Sequence, residues 1–117
     1  MATRVFPFIF KSLGVKSISS GGTETWEWNA DADYTIKYMF VIERGDLSLS
    51  KCLLTGKIEE NYFTKDKVCA GVFGRDIRNA IELNYPLNKN QKISISIENQ
   101  DTSDHEIEIV LVLVPRG

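Results

Sequence analysis

Hydrophobic and polar positions alternate with a period of two through most of this chain. From Tyr34 to Glu43, Tyr34, Ile36, Tyr38, Phe40 and Ile42 share one side, and Thr35, Lys37, Met39, Val41 and Glu43 share the other. Successive side chains of an extended strand point to opposite faces, so the segment reads as a strand. Lys92 to Asn99 is cleaner still, with Ile93, Ile95 and Ile97 set against Ser94, Ser96 and Glu98. His105 to Val112 repeats the pattern with Ile107, Ile109 and Leu111 against Glu106, Glu108 and Val110. Further strands are expected over Arg4 to Phe10, Val15 to Ser19, Glu24 to Trp28, Asp46 to Leu54, Asn61 to Thr64 and Ala80 to Asn84. In Asp46 to Leu54 the apolar phase shifts between Leu49 and Cys52, which predicts a bulge or bend near Lys51.

Turn residues punctuate these runs: Ser20-Gly21-Gly22, Asn29 to Asp33, Arg44-Gly45-Asp46, Lys65-Asp66-Lys67, Asn88-Lys89-Asn90 and Asn99 to Asp104. Only Phe73 to Asn79 could form a helical turn. Short strands without intervening helices argue an all-β fold, an antiparallel β-sandwich of about eight strands, with a jelly-roll as its expected form. Two packed sheets bury one face of each strand and limit exposed edges. Ile36, Tyr38, Phe40, Ile93, Ile95, Ile97, Ile107 and Ile109 are the expected inner faces.

Length and composition narrow the function classes. A chain of 117 residues supports one core, and 43% hydrophobic with 26% charged residues is ordinary for a globular domain. The single domain is expected to span residues 1–112, because Leu113-Val114-Pro115-Arg116-Gly117 reads as the remnant of an engineered thrombin site. A net charge of −2 with scattered Lys and Arg argues against direct nucleic-acid binding, which requires a concentrated basic face. No stretch reaches the roughly 20 apolar residues of a membrane-spanning helix. The apolar run Val5 to Phe10 is interrupted by Pro7 and falls short of a secretory core of about 7–15 residues.

Catalytic and ligand signatures fail on inspection. Asn29, Asp31 and Asp33 alternate like the start of a calcium loop, but Tyr34 and Phe40 occupy the positions where glycine and glutamate are required. Cys52 and Cys69, 17 residues apart, read as small buried thiols, and sequence leaves open whether they pair. They are too few for a structural zinc site, and neither cofactor nor metal is implied. His105, between Asp104 and Glu106, reads as a surface histidine. Glu59-Glu60 and Glu106/Glu108 read as solvated carboxylates rather than a glycosidase pair. Gly71 to Asp76 lacks the spacing and lysine of a phosphate loop, and reads as a mobile or interface-forming loop. Trp26 and Trp28, two residues apart on one strand face, supply either core or an exposed stacking platform for a sugar.

The terminal segments are more apolar than one buried face requires. Val5, Phe6, Phe8 and Phe10 at one end, with Val110 and Val112 at the other, are candidate self-association residues. The closing pattern "NKNQKISISIENQDTSDHEIEIVLV", a basic turn, an alternating strand, an Asn-rich turn and a final strand, resembles single jelly-roll structural proteins of icosahedral DNA viruses. The resemblance spans roughly Val15 to Val112 and is one of pattern. It implies a capsid, penton or vertex component: a non-enzymatic subunit of the virion, assembled in the host cytoplasm, whose partners are itself, as a homo-oligomer, and other virion proteins. The alternative is a carbohydrate-binding sandwich module that uses Trp26 and Trp28.

Overall fold

The computed structural model describes residues 7–116. Nine strands are assigned among them: β1 (Ile9–Ile18), β2 (Thr23–Asn29), β3 (Tyr34–Glu43), β4 (Cys52–Ile58), β5 (Asn61–Tyr62), β6 (Val68–Cys69), β7 (Tyr85–Leu87), β8 (Lys92–Asn99) and β9 (His105–Pro115). All pairings are antiparallel. The first sheet runs β1-β9-β3-β7, and the second runs β2-β8-β4-β5 with β6 also on β4. Since β8 occupies one edge of β4, β5 and β6 are two halves of one interrupted strand along the other. Eight strand positions result. Apart from the β4–β5–β6 segment, each connection crosses between sheets, which is the winding of a jelly roll.

The isoleucines of the two alternating segments meet between the sheets, where Ile93, Ile95, Ile97, Ile107 and Ile109 are all buried with Trp26, Leu54 and Leu111. Two bulges change the layout expected from alternation. In β1 the register against β9 shifts between Ser12 and Val15, where Gly14 takes a φ of 103° that a side chain would resist. Val15 to Ser19 is therefore not a separate strand: one bent strand runs from Ile9 to Ile18, and residues 4–6 of the segment expected over Arg4 to Phe10 lie outside the described residues.

The second bulge overturns part of the expected core. Ile36 pairs with Leu113 and Tyr38 with Val112, so Lys37 is an extra residue in β3. A one-residue insertion flips every later side chain to the other face. Tyr34 and Ile36 point inward, but beyond the bulge Met39, Val41 and Glu43 are the buried residues, and Tyr38 and Phe40 stand on the outer face. The chain from Asp46 to Lys51 is loop, which accounts for the phase change there, and β4 begins only at Cys52. Ala80 to Asn84 is also loop, with β7 following it. The short helical turn lies at Ala70–Phe73 rather than over Phe73 to Asn79. At the other end, β9 does not stop at Val112. Leu113 is buried, and Arg116 donates from its backbone N–H to the Asp33 carbonyl and from Nε to the Tyr34 carbonyl.

Candidate functional site

The outer face of the first sheet gathers four of the six candidate self-association residues, Phe8, Phe10, Val110 and Val112. Val112 lies in register between Phe10 on β1 and Tyr38 on β3, and Val110 lies between Ser12 and Phe40. Tyr38 and Phe40, two apart on β3, stack with ring centroids 6.0 Å apart and planes 12° from parallel. The free edge of β3 beyond β7 is taken up by the loop that precedes β7: Leu83 N–H donates to the Lys37 carbonyl and Val41 N–H to the Gly74 carbonyl. That loop brings Arg75, Asp76 and Ile77 to the border of the face. Together they enclose an almost wholly apolar hollow of about 490 Å³, walled by Phe8, Phe10, Tyr38, Phe40, Ile77 and Val112.

Phe10 is 69% exposed, Ile77 61% and Phe8 44%. Val112 is 4% exposed and forms the floor of the face. Val110 is half-buried. Val5 and Phe6 lie outside the described residues. Tyr38, Phe40 and Ile77 are part of the face although alternation did not point to them. The bulge at Lys37 is what turns the two rings outward, and it carries no glycine or proline to announce it.

The tryptophans occupy the opposite side of their sheet. Trp26 is 1% exposed and its Nε1–H donates to the Gly14 carbonyl at 2.9 Å, a bond made possible by the β1 bulge. Trp28 is half-buried, tilted against Tyr34 with centroids 6.0 Å apart, and the Lys11 ammonium lies 5.5 Å from its ring centre. The pair therefore offers no exposed two-ring platform for a sugar.

A polar cluster closes one end of the sandwich, and its centre corrects the reading of His105 as a surface residue. The His105 side chain is fully buried at the start of β9, with Nδ1 2.7 Å from Glu43 Oε2 and Nε2 2.9 Å from Asp101 Oδ2. Glu43 Oε1 also accepts the N–H groups of Gly45 and Leu47, so the carboxylate organises the turn after β3. Buried Asn99 donates to the carbonyls of Ile18 and Ser103 and accepts from the Asp101 N–H. Burial opposes charge on His105, but the bonds to Asp101 and Glu43 outweigh it and raise its pKa above the ordinary 6.5. Burial likewise opposes the Glu43 carboxylate, yet the His105, Leu47 and Gly45 donors hold its pKa below the usual range. Asp101 is lowered chiefly by its bond to His105. With both ring nitrogens bonded to carboxylates and the side chain buried, His105 ties the start of β9 to the end of β3 and to the turn before it.

The other candidates resolve locally. Asp31 accepts from the Tyr34 hydroxyl at 2.7 Å and Asp33 from the Lys89 N–H at 2.8 Å, which is turn chemistry. Cys52 and Cys69 are free thiols, and burial first of all raises the Cys52 pKa to about 11. No group of three potential metal-binding side chains occurs among the described residues. No helix among them is long and apolar enough to cross a membrane. Comparison with known proteins finds no matching family model, curated protein or solved structure.

Proposed function

We propose that this chain is a non-enzymatic structural subunit of a viral particle, and that it assembles with copies of itself through the outer face of the β1-β9-β3-β7 sheet. The observation that carries the reading is that face: exposed aromatic and aliphatic side chains from β1, β3 and the loop before β7 converge on one apolar hollow. Monomeric proteins seldom leave such a contiguous patch in water, since about 25 cal/mol is gained for each Å² of apolar surface withdrawn from it. The occupant is a second copy because the border is self-complementary. Adjacent Arg75 and Asp76 carry opposite charges and are held in exposed pairs, Arg75 to Asp46 at 3.8 Å and Asp76 to Arg78 at 3.6 Å, which a two-fold contact would exchange for each arginine against the other copy's aspartate.

The jelly-roll winding is compatible with this role, as it is with lectin and cupin roles, and does not decide among them. The pattern resemblance to viral jelly-roll proteins supplies the virion, its assembly in the host cytoplasm and the other virion proteins as partners. The carbohydrate reading based on Trp26 and Trp28 is not favoured, since both rings face the core. Sedimentation velocity over a concentration series tests the assembly. A homo-oligomer is expected at roughly 50 μM, well above a dissociation constant of about 1 μM, and Phe10→Lys is expected to shift it toward monomer. A wild-type chain that sediments as monomer throughout would overturn the proposal.

A further inference from the structure

The outer face of the second sheet has the opposite character from that of the first. Its registered rows are Thr25–Ser96–Thr55 and Glu27–Ser94–Lys57, and Tyr62 of β5 pairs beside Lys57. These seven side chains line a concavity of about 200 Å³, and Thr55 and Tyr62 also border a second hollow of about 540 Å³ formed with Phe63 to Lys67. Tyr62 is 63% exposed, and the Lys57 ammonium sits 5.5 Å from its ring centre.

The display of Tyr62 is built into the backbone. A Cβ on Gly56 would stand 2.2 Å from Phe63 Cζ, so only glycine lets the Phe63 ring lie across β4. Phe63 then tilts against Tyr85 with centroids 5.2 Å apart, and the N–H of Gly56 donates to Thr64 Oγ1. With Phe63 anchored on the core side, alternation sends its neighbour Tyr62 to the outer face.

We infer that this face is a binding site for a neutral oligosaccharide, with Tyr62 as the stacking ring and the hydroxyls of Thr25, Thr55 and Ser96 with the Glu27 carboxylate as its polar contacts. A sugar ring has one apolar face and a rim of hydroxyls that both donate and accept. Each Ser or Thr hydroxyl offers one donor and two acceptor positions. The Thr25–Ser96 bond of 2.8 Å and the Ser94–Glu27 bond of 3.4 Å use only part of that capacity while fixing the rotors. Charge is nearly balanced across the face, with Lys92 on Glu27 at 3.5 Å and Lys67 on Glu98 at 2.7 Å, which leaves Lys57 beside the Tyr62 ring outside these pairs. A nearly balanced face complements a neutral ligand and gives little field to hold a phosphate chain. Its polarity also sets it apart from the apolar face proposed to meet a second copy, so the two inferences stand or fall separately.

The test is a titration of the isotope-labelled full chain with cellohexaose, maltohexaose, mannohexaose and chitohexaose, each to about 10 mM, followed by amide chemical shifts. That concentration fills a site whose dissociation constant is about 1 mM. At least one sugar is expected to move the amides of Thr55, Tyr62, Ser94 and Ser96. Tyr62→Ala is expected to weaken that binding about tenfold, while Tyr62→Phe retains it; Tyr62 is exposed, so both variants keep a native spectrum. Absence of shifts with all four sugars, shifts confined to the first sheet, or full affinity in Tyr62→Ala would overturn the inference.

Discussion

Replacing Glu43 by glutamine tests the buried tie at the end of the sandwich. The amide is nearly isosteric and its oxygen can still accept the Gly45 and Leu47 N–H groups, but the negative charge facing His105 is lost. Both side chains are almost fully enclosed, at 0% and 4% exposure, so solvent does little to screen the change. Asp101 remains on Nε2, which leaves one of two partners in place. Breaking a buried pair by removing one partner costs about 3 kcal/mol at the lower end of observed values. For a domain of this size that corresponds to a fall in Tm of about 12 °C.

The pH dependence carries the sign. The folded His105 pKa is raised, so its contribution is complete below the ordinary 6.5 and fades as pH rises through the raised value. The folded Glu43 and Asp101 pKa values are lowered, so theirs is complete above the ordinary 4.5 and 3.8 and fades as pH falls through the lowered values. Stability from the tie is therefore greatest in mildly acidic solution. Thermal unfolding of wild type and Glu43→Gln, followed by circular dichroism, should differ most near pH 6 and less near pH 9 (both about). A loss below about 1 kcal/mol that is equal at both pH values would refute a charged His105, because a neutral bond alone is worth about that much.

Two further expectations follow from packing. Gly56→Ala forces the added methyl against the Phe63 ring and should cost about 2 kcal/mol by overpacking, read as a lower midpoint in urea unfolding; an unchanged midpoint would show that the ring does not lie across β4. Cys52 is buried with its pKa pushed up to about 11, so in a thiol-reagent titration of the native protein near neutral pH it should react only as the protein unfolds, whereas half-buried Cys69 should react first. Simultaneous rapid labelling of both would contradict the burial of Cys52.

The inner faces of β8 and β9 were legible because Ile93, Ile95, Ile97, Ile107 and Ile109 alternate with polar residues, so only one phase buries them. In β3 both phases are apolar: Tyr38 and Phe40 compete with Met39 and Val41, and pattern alone cannot choose. The extra residue at Lys37 makes the choice, through pairing with β9 that lies more than 70 positions away. The burial of His105 is hidden from the sequence for the same kind of reason. Its neighbours Asp104 and Glu106 suggest a wet surface, while the partner that justifies its burial, Glu43, lies 62 residues distant. At the candidate face, Phe8 and Phe10 stood out as an excess of aromatic residues near one end. Ile77 gave no such signal, since only the loop's bonds to the free edge of β3 bring it there.

The central claim, self-assembly through the apolar face of the β1-β9-β3-β7 sheet, is tested most directly by native mass spectrometry of the wild-type chain beside Phe10→Lys and Ile77→Lys. Both positions are exposed, so the charges leave the fold intact in each variant, as circular dichroism can verify. A closed homo-oligomer is expected for wild type at roughly 50 μM and monomer for both variants at that concentration, which lies well above a dissociation constant of about 1 μM. A monomeric wild type, or an oligomer that survives both charges, would contradict it.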